Sequence, residues 1–512
     1  MRQVPCYEVL SFTCESFFTA LSSDICCPGE TSANNVAQYI WRYLEQLEAK
    51  TVIIEYTYTD GDFLEDHASY YVRCFNDYRR HCKRLHFFRD SFDEAHFSRL
   101  ILRDSTDDEL EALVKGYLGF IVVRPLPKAV IGRTVLASYP SDNGRRNYTS
   151  LRVYRANLFG LDLSIESLAF QEQDTVLAAC ATVALWSAFH KASDLFGTFS
   201  PRPAEITKVA NGAGSTSRAI PSHGLTPLQM AHAVRSVGLE PEVIAANPAV
   251  PLVSVIYSHL KLGLPVVLGV DIESQGLHAL TIAGYSMITS QAIGSEVGHG
   301  YSSPPFSGLR INEFYAHDDQ IGPFSRLRVI PSSSSECPVY FTGSWKDPSG
   351  KELVMTPQFL LIPVYNKIRV TFVDMQGWIQ RLWEVLTCVI VDHANYEWDT
   401  YLVASNGLKT EFAMELKGHP AQQSFLTRHH PRFIWRNSLR YNGKVVLDLF
   451  ADATDMQHSM PFYDVLWYNS GLQSLVAQLV TAPQLSIQLN QMLTIRFLEF
   501  LRSTSQGASI PA

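Results

Sequence analysis

Three short segments of this 512-residue sequence carry side chains whose types and order could do acyl chemistry. The first is Gln171-Glu-Gln-Asp-Thr-Val-Leu-Ala-Ala-Cys180, followed by helix formers with Val183, Trp186 and Phe189 on one stripe. Cys180 is therefore expected at a helix N-terminus. There the helix dipole and unpaired backbone N–H groups favour an anion, which lowers a thiol pKa from about 8.5 toward roughly 3.5–7.5. The same N–H groups can receive the oxyanion of a tetrahedral intermediate. The second segment, residues 264–271 and 276–285, reads as two apolar strands, and His278 opens the second of them as a candidate base. The third, residues 313–320, is a short strand ending in Asp318-Asp319 just before Gly322-Pro323. Paired antiparallel with the His278 strand, it would bring one of these acids beside the imidazole. A carboxylate there fixes the tautomer and steadies the imidazolium. Strand phase leaves both acids open, with Asp318 preferred. The connection over residues 286–309 would then lie at the opposite end of the hairpin.

The elements that must hold these groups can be read around them. The segment from about residue 161 begins helix-forming and then turns to strands. Between the first two motifs, Thr226 is an N-cap, Pro227 takes the first helical position, and Gly238 ends that helix. A cysteine opening a helix, then His278-Ala-Leu-Thr-Ile-Ala-Gly-Tyr285, then a strand ending in Asp, resembles the papain-like cysteine peptidases over roughly residues 165–330. The likeness is strongest to their double-glycine-leader (bacteriocin-exporter) branch. It implies a papain-like central domain and a Cys-His-Asp triad that cleaves a peptide bond, with no cofactor and no metal. In that family a glutamine six residues before the cysteine completes the oxyanion hole. Here that position is Asp174, with Gln173 one step away, so the oxyanion side falls to Gln173 or Asp174. A carboxylate facing the oxyanion would repel it unless protonated. Two other functions use the same fold: acyl transfer of the transglutaminase or deamidase type on the same three residues, and a non-catalytic scaffold.

At this length two or three domains are expected. Residues 1–160 read as a mixed α/β region, 161–330 as the papain-like domain, and 331–512 as a β-rich region ending in a helix; the class is α+β. In the first region a helix is expected over 35–49, with Val36, Ile40, Tyr43, Leu44 and Leu47 at helical spacing. Strands are expected at 51–58, 117–124 and 134–139, and Lys83-Arg84 on a strand with charged edges. Polar 140–146 reads as a turn and 331–336 as a linker. In the last region strands are expected over 357–372, 396–412 and 432–449, and a helix over 484–501.

Composition bounds the partners. With 46% hydrophobic and 18% charged residues the chain is an ordinary folded protein, and its net charge of -8 argues against nucleic acid. Nine cysteines, without a C-x-x-C pair or a His/Cys zinc spacing, suit a reducing compartment. Glu8, Glu15 and Asp24 interrupt any signal peptide, and there is no run of eighteen apolar residues to span a membrane. A cytoplasmic protein acting on a protein or peptide is the expectation. The bland reading is preferred for four further features: His317 as a solvated strand end, 428–440 as a strand with alternating solvated arginines, Asp452 and Asp455 as loop acids, and Asn147 as a chance glycosylation match.

Overall fold

The computed structural model describes residues 6–22, 31–174, 176, 179–212, 224–288, 303–332, 337, 339–388, 390–418, 421–456, 460–481 and 495–505. The N-terminal region is a five-stranded antiparallel meander: β1 (Tyr7–Ser11), β2 (Thr51–Tyr58), β3 (Cys82–Phe88), β4 (Tyr117–Val123) and β5 (Ile131–Leu136), in that order. The helix Asn35–Gln46 begins where the Asn34 side chain accepts from the Ala37 N–H, and it buries Val36, Ala37, Ile40, Tyr43 and Leu44. β5 starts three residues before the expected strand, because Ile131 already pairs with Val123.

The stretch after residue 160 does not begin as a helix. A two-residue strand, β6 (Arg146–Asn147), leads to the hairpin β7 (Arg152–Leu158) and β8 (Leu161–Ser167). Leu161-Asp-Leu-Ser-Ile alternates apolar and polar with a period of two, which overrides helix propensity. The expected domain boundary thus coincides with the hairpin turn, where Phe159 and Gly160 both take positive φ (50 and 88).

The central sheet comprises β9 (Leu239–Ala245), β10 (Val266–Ile272), β11 (Gly276–Met287), β12 (Ile311–Asp318), β13 (Gly322–Pro331), β14 (Val339–Gly343) and β15 (Met355–Tyr365). Its order is β10-β11-β12-β13-β14-β15-β9, and β15 also pairs back onto β10, so β10 to β15 close into an antiparallel barrel. The helix Cys180–Phe196 packs against β11, where the Thr281 hydroxyl donates to the Ala184 carbonyl at 2.7 Å. β10 and β11 are therefore covered on both faces, which is why they read as nearly unbroken apolar runs. The sheet continues past residue 331, and residues 333–336 of the linker-like stretch lie outside the described residues. So do residues 289–302 of the β11–β12 connection. The helix Pro227–Ser236 has the expected Thr226 cap, made reciprocal by Gln229.

The C-terminal region is a four-stranded antiparallel sheet, β16 (Tyr396–Ala404), β17 (Phe433–Tyr441), β18 (Lys444–Asp452) and β19 (Phe462–Trp467), with helices around it. Two expected strands are too long. That over 357–372 ends at Tyr365, and the capping box of Thr371 with Asp374 starts the helix Phe372–Leu386. That over 396–412 ends at Ala404. Its second half is the helix Ser405–Glu415, which buries Leu408 and Phe412 four residues apart on one face. The span 432–449 is the β17–β18 hairpin, turned at Asn442 and Gly443. Of the expected terminal helix, residues 482–494 lie outside the described residues; the rest falls in the helix Ile495–Ser505. One apolar core runs through all three regions, from Phe63 and Phe88 through the barrel to Trp398 and Trp435. Among the described residues no helix is long and apolar enough to cross a membrane.

Candidate active site

Cys180 is the first residue of its helix, and the N-cap position is Ala179, whose side chain makes no capping hydrogen bond. The cysteine is half-buried, while the residues behind it, Ala181 to Phe189, are buried against the barrel. Ser187 anchors the helix by donating to the Ala169 carbonyl at 2.6 Å.

His278 enters from the start of β11 and is 6% exposed. β11 and β12 pair antiparallel as expected, with Thr281 opposite His317, which brings the end of β12 alongside His278. His278 Nε2–H donates to Asp318 Oδ1 at 3.0 Å, and Asp319 Oδ1 stands 3.6 Å from the same nitrogen. Both acids named from the sequence are thus at the imidazole, with Asp318 the nearer. Asp318 is fully used: the Gln320 N–H also donates to Oδ1 at 3.1 Å, and Trp345 Nε1–H donates to Oδ2 at 2.7 Å. The Trp345 ring also packs edge-on to the imidazole, with centroids 5.4 Å apart.

The electrostatics follow from this arrangement. Burial disfavours a charged His278. The Asp318 charge and hydrogen bond, a hydrogen bond with the Cys180 side chain and the Asp319 charge together outweigh it, so the imidazole pKa lies well above its usual value. Asp318 is the mirror image: burial raises its pKa, but His278, Trp345 and the Gln320 N–H bring it below the usual carboxylate range. Asp319 has less help. Burial pushes its pKa up to about 7, with His278 opposing and Asp318 adding to the rise.

His278, Asp318 and Asp319 present ligand atoms within 4.8 Å of one another, as a metal site would. Nε2 is already spent on donating to Asp318, however, and Asp318 on three donors, so two of these residues satisfy themselves.

No protein-family model matches the chain, and no curated protein matches it significantly. The site must be read from its own chemistry.

The two residues read for the oxyanion side, Gln173 and Asp174, both line one cavity, but among the described residues only Asp174 of the two has side-chain hydrogen bonds. Asp174 accepts from the Tyr71 hydroxyl at 3.1 Å and from the Val176 N–H at 3.0 Å, so its charge is tied to the N-terminal region. Gln173 lines a cavity of about 280 Å³ that also reaches Asp319. A larger cleft of about 910 Å³ runs between the helix Asn35–Gln46 and the β12–β14 face, with Trp345, Arg42, Arg326 and Glu313 in its wall.

Three of the bland readings need correction. His317 is 3% exposed rather than solvated: its Nε2 bonds to the Leu168 carbonyl, and its Nδ1 accepts the Phe324 N–H. Arg436, in the stretch read as alternating solvated arginines, is 1% exposed and pairs with Asp448, Glu411 and Glu415. Asp452, read as a loop acid, is instead the last residue of β18, paired with Ile434, and its side chain accepts from the Thr454 N–H and hydroxyl. Trp345 and Tyr71 were not singled out from sequence. They lie in a loop beyond residue 330 and in a short helical turn near residue 71, and neither segment carries a pattern that names its target.

Proposed function

We propose that the protein is a cysteine-type hydrolase of papain-like architecture that cleaves peptide bonds. The observation that carries this reading is a half-buried cysteine as the first residue of a helix, close enough to His278 to influence its titration, and a His278 Nε2 held by a buried carboxylate. With Nε2 engaged, Nδ1 is the nitrogen that faces the thiol. The imidazole takes the Cys180 proton, and Sγ attacks the carbonyl carbon of the substrate. The oxyanion is received by first-turn N–H groups and by the Gln173 amide, while Asp174 stays bonded to Tyr71. The imidazolium then protonates the leaving amine. A water, deprotonated by His278, cleaves the thioester and restores the thiol. Asp318 orients the ring throughout, and Trp345 holds Asp318. The cleft of about 910 Å³ along β12–β14, with Trp345 and Gln320 in its wall, is the proposed seat of the peptide.

The test is the pH dependence of iodoacetamide labelling, followed at all the cysteines by mass spectrometry, in wild type and His278→Ala. The reading expects Cys180 to label far faster than the other cysteines at pH 6 and to lose that advantage in the variant. Equal labelling of all exposed cysteines, unchanged by the substitution, would overturn it.

A further inference from the structure

The cleft of about 910 Å³ has in its wall both groups that hold Asp318. Trp345 Nε1–H donates to Asp318 Oδ2, and the Gln320 backbone N–H donates to Oδ1. Asn35 and Gln320 line this cleft and also the smaller cavity at Gln173, so the two spaces adjoin on the approach to Cys180. A chain seated in the cleft passes the residues that steady the orienting carboxylate of His278.

The charges of the wall are unbalanced. Arg42, Arg326, Arg328 and Lys346 line the cleft against two acids, Glu313 and Glu352. This positive surplus lies on a chain whose net charge is -8, so the cleft runs against the sign of the whole molecule. Both acids are already engaged: Glu352 pairs with Arg328, and Glu313 accepts from the Tyr315 hydroxyl at 2.8 Å. The other three cations are exposed, and among the described residues none of them has an acid within ion-pair distance. Arg326 lies over the Tyr139 ring at 5.1 Å. A ring beneath a guanidinium does not consume its N–H donors, which stay available to a carboxylate.

We propose that this cleft takes an acidic peptide segment, whose carboxylates pair with Arg42, Arg326 and Lys346 as it runs past Trp345. Ligand sites commonly span about 300–1,000 Å³, a range that includes this cleft. Cations gathered in a recess with low-dielectric walls reinforce one another and draw in a ligand of opposite sign. The amides of Gln46 and Gln275, also in the wall, offer donors and acceptors to a peptide backbone. A nucleic acid suits the wall less well. Its phosphates form an unbroken line of negative charge that Glu313 and Glu352 would oppose, whereas a peptide can place neutral residues beside them. As a substrate class this rests on the reading of Cys180 as nucleophile; the binding itself needs only the cleft.

The experiment is calorimetric titration of the full chain carrying Cys180→Ser, so that nothing is cleaved. The probes are end-blocked octapeptides alternating Glu, Gln or Lys with Gly, and a thymidine octanucleotide. The Glu peptide should bind about tenfold or more tighter than the Gln peptide, and the Lys peptide more weakly still. That preference should collapse at about 1 M salt, where the Debye length is about 3 Å. Adding Arg42→Glu or Arg326→Glu should each cost the Glu peptide about fivefold or more. Lys417→Glu, an exposed change outside the cleft, should cost it nothing, which separates the cleft from net charge. Equal binding of the Glu and Gln peptides would overturn the proposal. So would an equal loss in Lys417→Glu, or tighter binding of the oligonucleotide than of the Glu peptide. If Cys180 of the unsubstituted chain labels fast with iodoacetamide but the Glu and Gln peptides bind alike, the acidic-substrate proposal alone fails. If Cys180 is unreactive while the Glu peptide binds with the stated losses, the hydrolase reading fails and the cleft stands as an acidic-peptide site.

Discussion

Replacing Asp318 with Asn should reveal what burial does to His278. The substitution keeps the shape and leaves an amide oxygen to accept from Nε2. It removes the charge that opposes desolvation, and it turns one of two accepting oxygens into a donor facing either Trp345 Nε1–H or His278 and the Gln320 N–H. An adjacent opposite charge moves a pKa by about one to three pH units, each equivalent to about 1.4 kcal/mol. The His278 pKa should therefore fall by about one to three, and the pair should lose about 1.4–4 kcal/mol of mutual stabilisation. The pH window follows from the two directions of shift. The raised His278 pKa gives stability that is fully present below the unfolded value of 6.5 and lost as pH rises through the folded value. The lowered Asp318 pKa gives stability that is present above the unfolded value of 3.8 and lost as pH falls through the folded value. The difference between wild type and Asp318→Asn should thus be greatest between pH 3.8 and 6.5 and shrink on either side. Histidine ring titration by NMR with 13C-labelled histidine reads the pKa directly, and urea unfolding across pH reads the stability. A His278 pKa unmoved in Asp318→Asn, or moved further by Asp319→Asn, would refute the assignment of Asp318 as the orienting carboxylate.

Trp345→Phe keeps the ring against His278 but removes the N–H to Asp318, so it should cost about 1.5–3 kcal/mol in urea unfolding and lower the His278 pKa less than Asp318→Asn does. Gly322→Ala places a Cβ about 2.1 Å from the Tyr39 ring at a φ of +155, so it should destabilise by about 1–3 kcal/mol, part of which Tyr39→Ala restores. Arg436→Met leaves Asp448 buried without its cation and should cost about 3–5 kcal/mol, measured by thermal or urea unfolding. Asp319 titrates near 7 when folded, against 3.8 unfolded, so its ionisation destabilises the fold as pH rises through that range. Asp319→Asn should accordingly stabilise by about 2–4 kcal/mol at pH 8 and by little at pH 4.

The parts of the site that were legible in the sequence are those whose information is local. Cys180 could be placed because an apolar stripe of helical period begins directly after it, and His278 because it opens an unbroken apolar strand. The antiparallel pairing of β11 with β12 then put the Asp pair beside the ring. What escaped depends on contacts made across the closed fold. Tyr71 finds Asp174 from 103 residues away, and Trp345 comes from a loop that reaches Asp318 as the sheet curls round toward β15. One error led to another in the last third. With residues 405–412 read as strand, nothing brought Glu411 and Glu415 onto one helix face, so the arginine that those acids bury at position 436 looked solvated. His317 misled for a related reason: its partners are backbone groups, which no side-chain pattern advertises.

The closure of the barrel also sets a timetable for synthesis. β10 has β11 on one side and β15 on the other, and β15 ends at Tyr365, roughly 90 residues after His278 in the chain. At ribosomal speeds of about 5–20 residues per second, the second edge of β10 waits about 4–18 s for its partner. Through that interval an apolar, hydrogen-bond-hungry edge is open to other chains. A nascent chain stalled or cleaved before residue 365 would carry the cysteine, the histidine and both aspartates on an unclosed sheet, and should aggregate rather than fold.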